Sequence, residues 1–355
     1  MSEATVTQKI SHALSWSLLL RAITLISTLV LSVIIVRGLG SHDFGIFSLL
    51  RNIIIYAGIF CSFGLDAALL RFVPEQIAEG DWVGFTATVS KVLLFHLPLI
   101  MLTFVVFFLL RGLFANLYSN EVTAYLLISA LIAGLLAYKN SLTQLFIALY
   151  RFRWLSIVTV ASSALWIIFT FLLLRLGVQI RGVLAAQALS FFVLICMLVL
   201  GLRKQLRFPL KFTYSVGNHR LLAYSGTSLT NSVLNLIVQR QSEIFFVGYY
   251  LGTEAAGKYD LGYYLPQMSL EVISGIIWSL GIVGFSEAIT RNPNKLGVGI
   301  RRYYKFLALL LLPIAIFGAG WADKIILLVY GEEMSVAGNL AQAFSIAHLL
   351  FFITV

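Results

Sequence analysis

Ten apolar stretches, most close to the ~20 residues that an α-helix needs to cross a bilayer, recur along the 355-residue chain. They run roughly over Trp16–Val36, Phe44–Leu65, Val92–Leu110, Ala124–Leu149, Leu155–Leu174, Val183–Leu202, Leu229–Leu251, Gly262–Gly284, Phe306–Gly320 and Leu340–Val355. Backbone amides at membrane depth find no water, so such segments must satisfy themselves internally as helices. Charged residues make up 11% of the chain and hydrophobic ones 60%, against about 25% charged in soluble domains. The expected fold class is all-α, a polytopic transmembrane helical bundle. Pro98, Pro266 and Pro313 fall inside three of the spans, where neighbouring helices can satisfy the freed carbonyls. The first span is too long for a secretory leader, lacks a small-residue cleavage site and is followed at once by another span.

Several function classes drop out. Two cysteines, Cys61 and Cys196, make no disulfide framework or zinc knuckle. The five histidines are scattered, so no metal site is legible. No phosphate-binding G-x-x-x-x-G-K-[ST] loop is present, and the longest internal connection is only about 26 residues. No cofactor is expected, and the chain does not read as an enzyme. The net charge of +10 does not point to nucleic acid, because most basic residues stand singly between apolar runs, as membrane topology requires.

With the N-terminus inside, fifteen Lys and Arg residues fall on the cytoplasmic side and six outside, a clear positive-inside bias. The expected location is therefore the inner (cytoplasmic) cell membrane, multi-pass, with a cytoplasmic N-terminus. The residues before Trp16 are open to two readings, a short interfacial helix or a disordered tail.

The chain resembles itself. Leu39-Gly40-Ser41-His42-Asp43-Phe44-Gly45-Ile46-Phe47 and Leu251-Gly252-Thr253-Glu254-Ala255-Ala256-Gly257-Lys258-Tyr259 share the pattern L-G-[ST]-x-x-x-G-x-[FY] at an offset of 212. The same offset carries Glu75 onto Glu287 and Pro98 to within three residues of Pro313. Six spans per copy preserve orientation, so the expectation is a parallel repeat, with two six-helix lobes around a central cavity. The bland alternative is a common turn pattern between spans. The repeat gives an N-terminal lobe at 1–212 with helices one to six and a C-terminal lobe at 213–355 with helices seven to ten. On this reading the second lobe is truncated, and the chain is expected to be part of a longer one.

Arg37-Gly38-Leu39-Gly40 followed by Phe44-Gly45-Ile46-Phe47, and Phe63-Gly64-Leu65-Asp66 through Arg71-Phe72-Val73, resemble the signature of polysaccharide flippases. Gly248-Tyr249-Tyr250-Leu251-Gly252 with Ala255-Ala256-Gly257-Lys258-Tyr259 is similar to that family's counterpart in the second half. The resemblance is to Wzx-type (O-antigen and exopolysaccharide) flippases of the multidrug/oligosaccharidyl-lipid/polysaccharide exporter superfamily. It implies alternating access and a polyprenyl-diphosphate-linked oligosaccharide as substrate. The implied partners are that lipid, the surrounding membrane lipids, and the polysaccharide polymerase or ligase machinery.

Charges inside the spans mark the candidate site. A charge at mid-bilayer costs at least about 2.5–3.5 kcal/mol, so such residues belong in protein or water-filled surroundings. Arg21, Arg51, Lys139 and Arg240 are the cations there, and Glu243 and Glu271 the anions. Guanidinium forks suit diphosphate oxygens, which makes the cations substrate-binding candidates. Arg21 and Arg51 also match, in helix and depth, cavity arginines of the related lipid II flippase, whereas Arg240 lies one helix earlier. The alternatives are snorkelling for Arg21 and mutual pairing for Arg240 and Glu243, three apart on one helix face. Arg51 is expected to face the cavity between the lobes. Lys139 stands beside Asn140, Ser141, Thr143 and Gln144, and the polar seventh span contributes Asn231 and Asn235 as sugar-contacting candidates. Glu243 and Glu271 are the candidates for ion coupling.

The leading expectation is a flippase carrying this lipid-linked oligosaccharide from the cytoplasmic to the outer leaflet. A multidrug cation antiporter of the same superfamily is the first alternative, for which buried acids early in the chain would be expected. A non-transport membrane component of polysaccharide assembly is the second, and the large outer loop usual for such polymerases and ligases is missing.

Overall fold

The apolar stretch that opens the chain is too long for one crossing. In the computed structural model, which describes residues 3–203, 216–239, 242–268 and 296–354, helix α1 runs over Glu3–Ser62 and is non-helical only at Gly40 (φ 76°, ψ 175°). Side chains are described within these ranges except at 3–22, 237–239, 296, 298, 299, 302 and 349–354. The apolar part, Ile23–Ser62, is 40 residues long, about 60 Å if straight and twice the ~30 Å hydrocarbon core. Thr24 and Ile55 nevertheless line one cavity, although a straight helix would hold them about 46 Å apart. Helix α1 therefore folds back at Gly40, and the first two expected spans are joined through a single residue. Its positive φ is one that glycine adopts freely. Gly252, the matching glycine of the second motif copy, has φ 90°, so the same backbone requirement stands at both places.

The remaining helices are α2 (Leu65–Ala78), α3 (Trp82–Leu109), α4 (Arg111–Leu117), α5 (Asn120–Ala124), α6 (Leu126–Ala148), α7 (Phe152–Arg175), α8 (Gln179–Leu202), α9 (Asn218–Gln239), α10 (Ser242–Leu251), α11 (253–268), α12 (Leu296–Tyr330) and α13 (Ser335–Thr354). The described residues form no strand. Six described helical segments are long and apolar enough to cross a membrane, and they cover seven of the ten expected spans because α1 contains two. Among the others, α9 is rich in Ser, Thr and Asn, and most of the expected eighth span lies outside the described residues. The exposed face of α3 presents Leu94, Leu97, Met101, Leu102, Val105, Phe108 and Leu109, an apolar surface that suits lipid.

Packing divides the chain into two units, Met1–Thr253 and Glu254–Val355. In the first, α1 packs on α6 and α7, α7 on α8, and α6 on α2, α3 and α8. One end is closed by an apolar core of Leu69 and Phe72 (α2), Phe85 and Val89 (α3), Leu142 and Phe146 (α6), Leu155 (α7), Leu198 (α8) and Leu221 (α9). There Arg151 donates to the Gly201 carbonyl at 3.1 Å. Where the sequence repeat begins its second copy at 213, the packing boundary falls later, because α9 and α10 are tied to the first half. Arg220 forks onto both Glu75 oxygens at 2.9 and 3.2 Å, Lys91 Nζ donates to the Val216 carbonyl, and Phe245 of α10 packs edge-on against Tyr56. At the opposite end His42 meets Glu121 at 3.0 Å. The loops expected on opposite sides of the membrane thus gather at opposite ends of this unit.

In the second unit α12 and α13 form a hairpin through Gly331 and a 3₁₀ turn at Glu332–Met334. Gln342 donates to Asp323 across it at 2.9 Å. Helix α11 joins through Tyr263, whose ring stands edge-on to Phe344 at 5.0 Å.

Candidate functional site: a cationic cavity in the first half

A cavity of about 310 Å³ lies between the two arms of α1 and helices α6, α7 and α8. Arg51 enters it from the second arm of α1 and Lys139 from α6; both are half-buried. The Lys139 ammonium lies 4.7 Å from the centre of the Phe191 ring, a cation–π contact. No acidic residue is among the described residues lining the cavity. Its polar wall consists of uncharged groups, among them Thr24, Ser27, Ser163 and Gln187.

Two of these walls are chemically unfinished. Among the described residues Gln187, 5% exposed, has no partner for Oε1, and the Nε1 donor of Trp166 is likewise unused. Buried polar atoms are nearly always paired, so an unused donor and an unused acceptor on the wall shared with Arg51 and Lys139 are open to a polar ligand or an ordered water. The scaffold around them is fixed. Ser162 and Ser190, both lining residues, share a 2.8 Å hydroxyl contact, and each donates to the other's carbonyl, at 3.1 and 2.9 Å, clasping α7 to α8. Leu194 belongs both to the cavity wall and to the apolar core, so the core forms the floor.

Of the residues singled out in the sequence, the structure brings Arg51 and Lys139 into this one cavity, whose described lining residues all lie in the first half. Asn231 and Asn235 lie exposed, one turn apart on α9, and Glu243 is exposed on the first turn of α10. The Arg21 side chain, Arg240 and Glu271 lie outside what is described. Of the polar group around Lys139, Ser141 turns away: it contacts Nε2 of His96 at 3.0 Å. His96 is fully buried, its Nδ1 lies 2.7 Å from the Val92 carbonyl, and its ring stacks on Tyr138 at 5.2 Å. Nδ1 must donate to that carbonyl, so the neutral ring receives the Ser141 hydroxyl proton at Nε2. Gln187 and Trp166 were not found by sequence reasoning. Both are uncharged, and only the rotation of α7 and α8 decides which way they point.

A family profile described as "Polysaccharide biosynthesis protein" matches residues 34–337, a range that takes in Arg51, Lys139 and all of α6 to α8. Among curated proteins none matches significantly. Solved structures of similar fold include the inward-facing conformation of a multidrug resistance MATE family transporter of the MOP superfamily. It has 16% identity and a TM-score of 0.71, covering 95% of this chain and 81% of that one. A MOP superfamily transporter from Pyrococcus furiosus, described as having a binding pocket of reverse polarity, shares 17% identity at a TM-score of 0.69, covering 97% and 80%. Lipid II flippase MurJ, in an inward closed conformation, shares 15% at 0.61, covering 94% and 73%. At these identities the likeness is one of fold. Matched over most of its length, the chain belongs to the polysaccharide biosynthesis protein family and has the all-helical fold seen in MOP superfamily transporters.

Proposed function

We propose that this protein is a flippase that moves a polyprenyl-diphosphate-linked oligosaccharide from the cytoplasmic to the outer leaflet by alternating access of two six-helix lobes. The observation that carries this reading is the cavity holding Arg51 and Lys139 with no acid among its described lining residues. A diphosphate diester brings two negative charges and several acceptor oxygens, which a guanidinium fork, an ammonium and an indole N–H can meet together. A volume of about 310 Å³ suits the head of such a lipid rather than its glycan. The sugars would be left to the exposed amides of α9, Asn231 and Asn235. An organic cation would meet repulsion in the same place, which weighs against multidrug export. The N-terminus is placed in the cytoplasm of the inner membrane by the distribution of Lys and Arg, and polymerase or ligase machinery would take the delivered lipid on the outer side.

The test is reconstitution of the purified protein in liposomes containing a fluorescent polyprenyl-diphosphate oligosaccharide, with leaflet exposure read by an impermeant quencher. Protein-dependent exchange between leaflets is expected, together with accumulation of the lipid-linked glycan in the inner leaflet of cells lacking the gene. Transport of an organic cation, with no effect on the lipid, would overturn the reading.

A further inference from the structure

Arg51 and Lys139 line one desolvated cavity but differ in chemistry. A guanidinium keeps its proton at any relevant pH, whereas a lysine ammonium gives its proton up readily when it is taken out of water beside another cation. Lys139 Nζ has the Phe191 ring beneath it and, among the described residues, no carboxylate to hold a proton there. From α1 the charged group among the described lining residues is Arg51. From α7 come the hydroxyls of Thr159 and Ser163 and the indole of Trp166, and from α8 the amide of Gln187 and the ring of Phe191. Helices α2 and α3 pack on the far side of α6, where His96 is already committed to Ser141 and Val92, about 160° around the helix from Lys139; Asp66 of α2 is on that side as well.

We infer that Lys139 is the proton-coupling residue of this protein, taking up one proton when an anion enters the cavity and releasing it when the anion leaves. The inference rests on the proposed anionic substrate and adds the coupling ion to it. The balance is simple. The neutral amine, a proton from the water on the side of entry, and the anion combine into an ammonium–oxyanion pair, with no other bond made or broken. Arg51 supplies fixed attraction. The unused Trp166 donor is available to the anion, and the unused Gln187 oxygen lines the same cavity as an acceptor. The negative charge of the substrate stabilises the ammonium, so anion and proton occupy the cavity together. The carboxylates Glu243 and Glu271 then have no coupling role.

The experiment uses the full chain in lipid nanodiscs and dimethyl diphosphate, a diester with no proton of its own to titrate near neutrality. Calorimetry in two buffers of different ionisation enthalpy reads binding and proton uptake separately. Uptake approaching about one proton per anion is expected, with affinity falling by up to about tenfold per pH unit on the alkaline side. K139R should bind within about tenfold of the original affinity with no proton uptake and no such slope, and K139M should lose the uptake as well. Wild-type binding without uptake at any pH between about 6 and 10, or uptake that persists in K139M, overturns the coupling role and leaves the anion site standing. Absence of binding by the wild-type protein overturns the anion site itself. Because the wild-type measurement alone decides the first point, misfolding of either variant does not rescue the inference.

Discussion

Arg51 is the residue on which the functional reading is easiest to break. It sits on a helix arm whose neighbours Ile53 and Ile54 are buried, and it lines the same cavity as Lys139. Arg51→Lys keeps the charge and loses the fork, so partial transport is expected. Arg51→Ala removes charge-assisted hydrogen bonds worth about 1.5–3 kcal/mol each, and transport should fall by about 100-fold or more at normal membrane abundance. Leaflet exchange in liposomes measures both, and normal transport by Arg51→Ala would remove Arg51 from the substrate site. The cations of this cavity were legible in the sequence for a plain reason: a charge in an apolar span is expensive, and expense marks function. Gln187 and Trp166 carry no such mark. Their importance depends on helix rotation, which follows from packing that no single span encodes. His96 and Ser141 stayed hidden likewise, since 45 residues separate them.

Among the helices, packing rests on small polar and small apolar contacts, as expected where lipid tails compete with side chains. The Ser162–Ser190 clasp between α7 and α8 gives a clear case. Ser162→Ala should cost about 0.6–1.7 kcal/mol, because the partner hydroxyl stays buried with less to bond. The double change to alanine should cost no more than the single one, since neither side is then left unpaired. Thermal unfolding of the four proteins of this cycle decides, and strictly additive losses would refute the clasp. Gly64, before α2, is tighter still. Its φ is +69°, and a Cβ there would meet the Ser225 carbonyl oxygen and, at 2.9 Å, the Leu229 amide of α9. Gly64→Ala should destabilise the protein by about 1–3 kcal/mol, seen as a lower melting temperature, while Gly80→Ala, with a similar φ but open space around it, should cost clearly less. At this scale the sequence located the helices well where they were apolar. It began the third span ten residues into α3, because Gly84–Ser90 mixes small and polar residues that are buried by neighbouring helices rather than by lipid. The expected seventh span, Leu229–Leu251, falls on the described helical segments α9 and α10.

At the scale of the first unit, the pairing of His42 with Glu121 at one end and of Arg220 with Glu75 at the other fixes which loops share a side, and the proposed orientation takes the second of these sides as cytoplasmic from the positive-inside bias. With the two native cysteines replaced, Ser41→Cys should react with an impermeant maleimide added to intact cells, whereas Arg153→Cys should react only after lysis. The reverse pattern would invert the proposed orientation and with it the direction of transport. The fold-back of α1 at Gly40 bears on any such mapping. Two membrane crossings joined through one residue leave that surface without a strand of chain that a protease could grip or an epitope tag could replace. The pair must also leave the insertion machinery as a hairpin, because neither arm can be released into lipid while the other still waits in water. A single cysteine fits at this turn, but reporters of topology that need an insertion belong at the broader α3–α6 junction around Ser119. At Gly40 an insertion would pull the two walls of the cavity apart before the rest of the protein had been made.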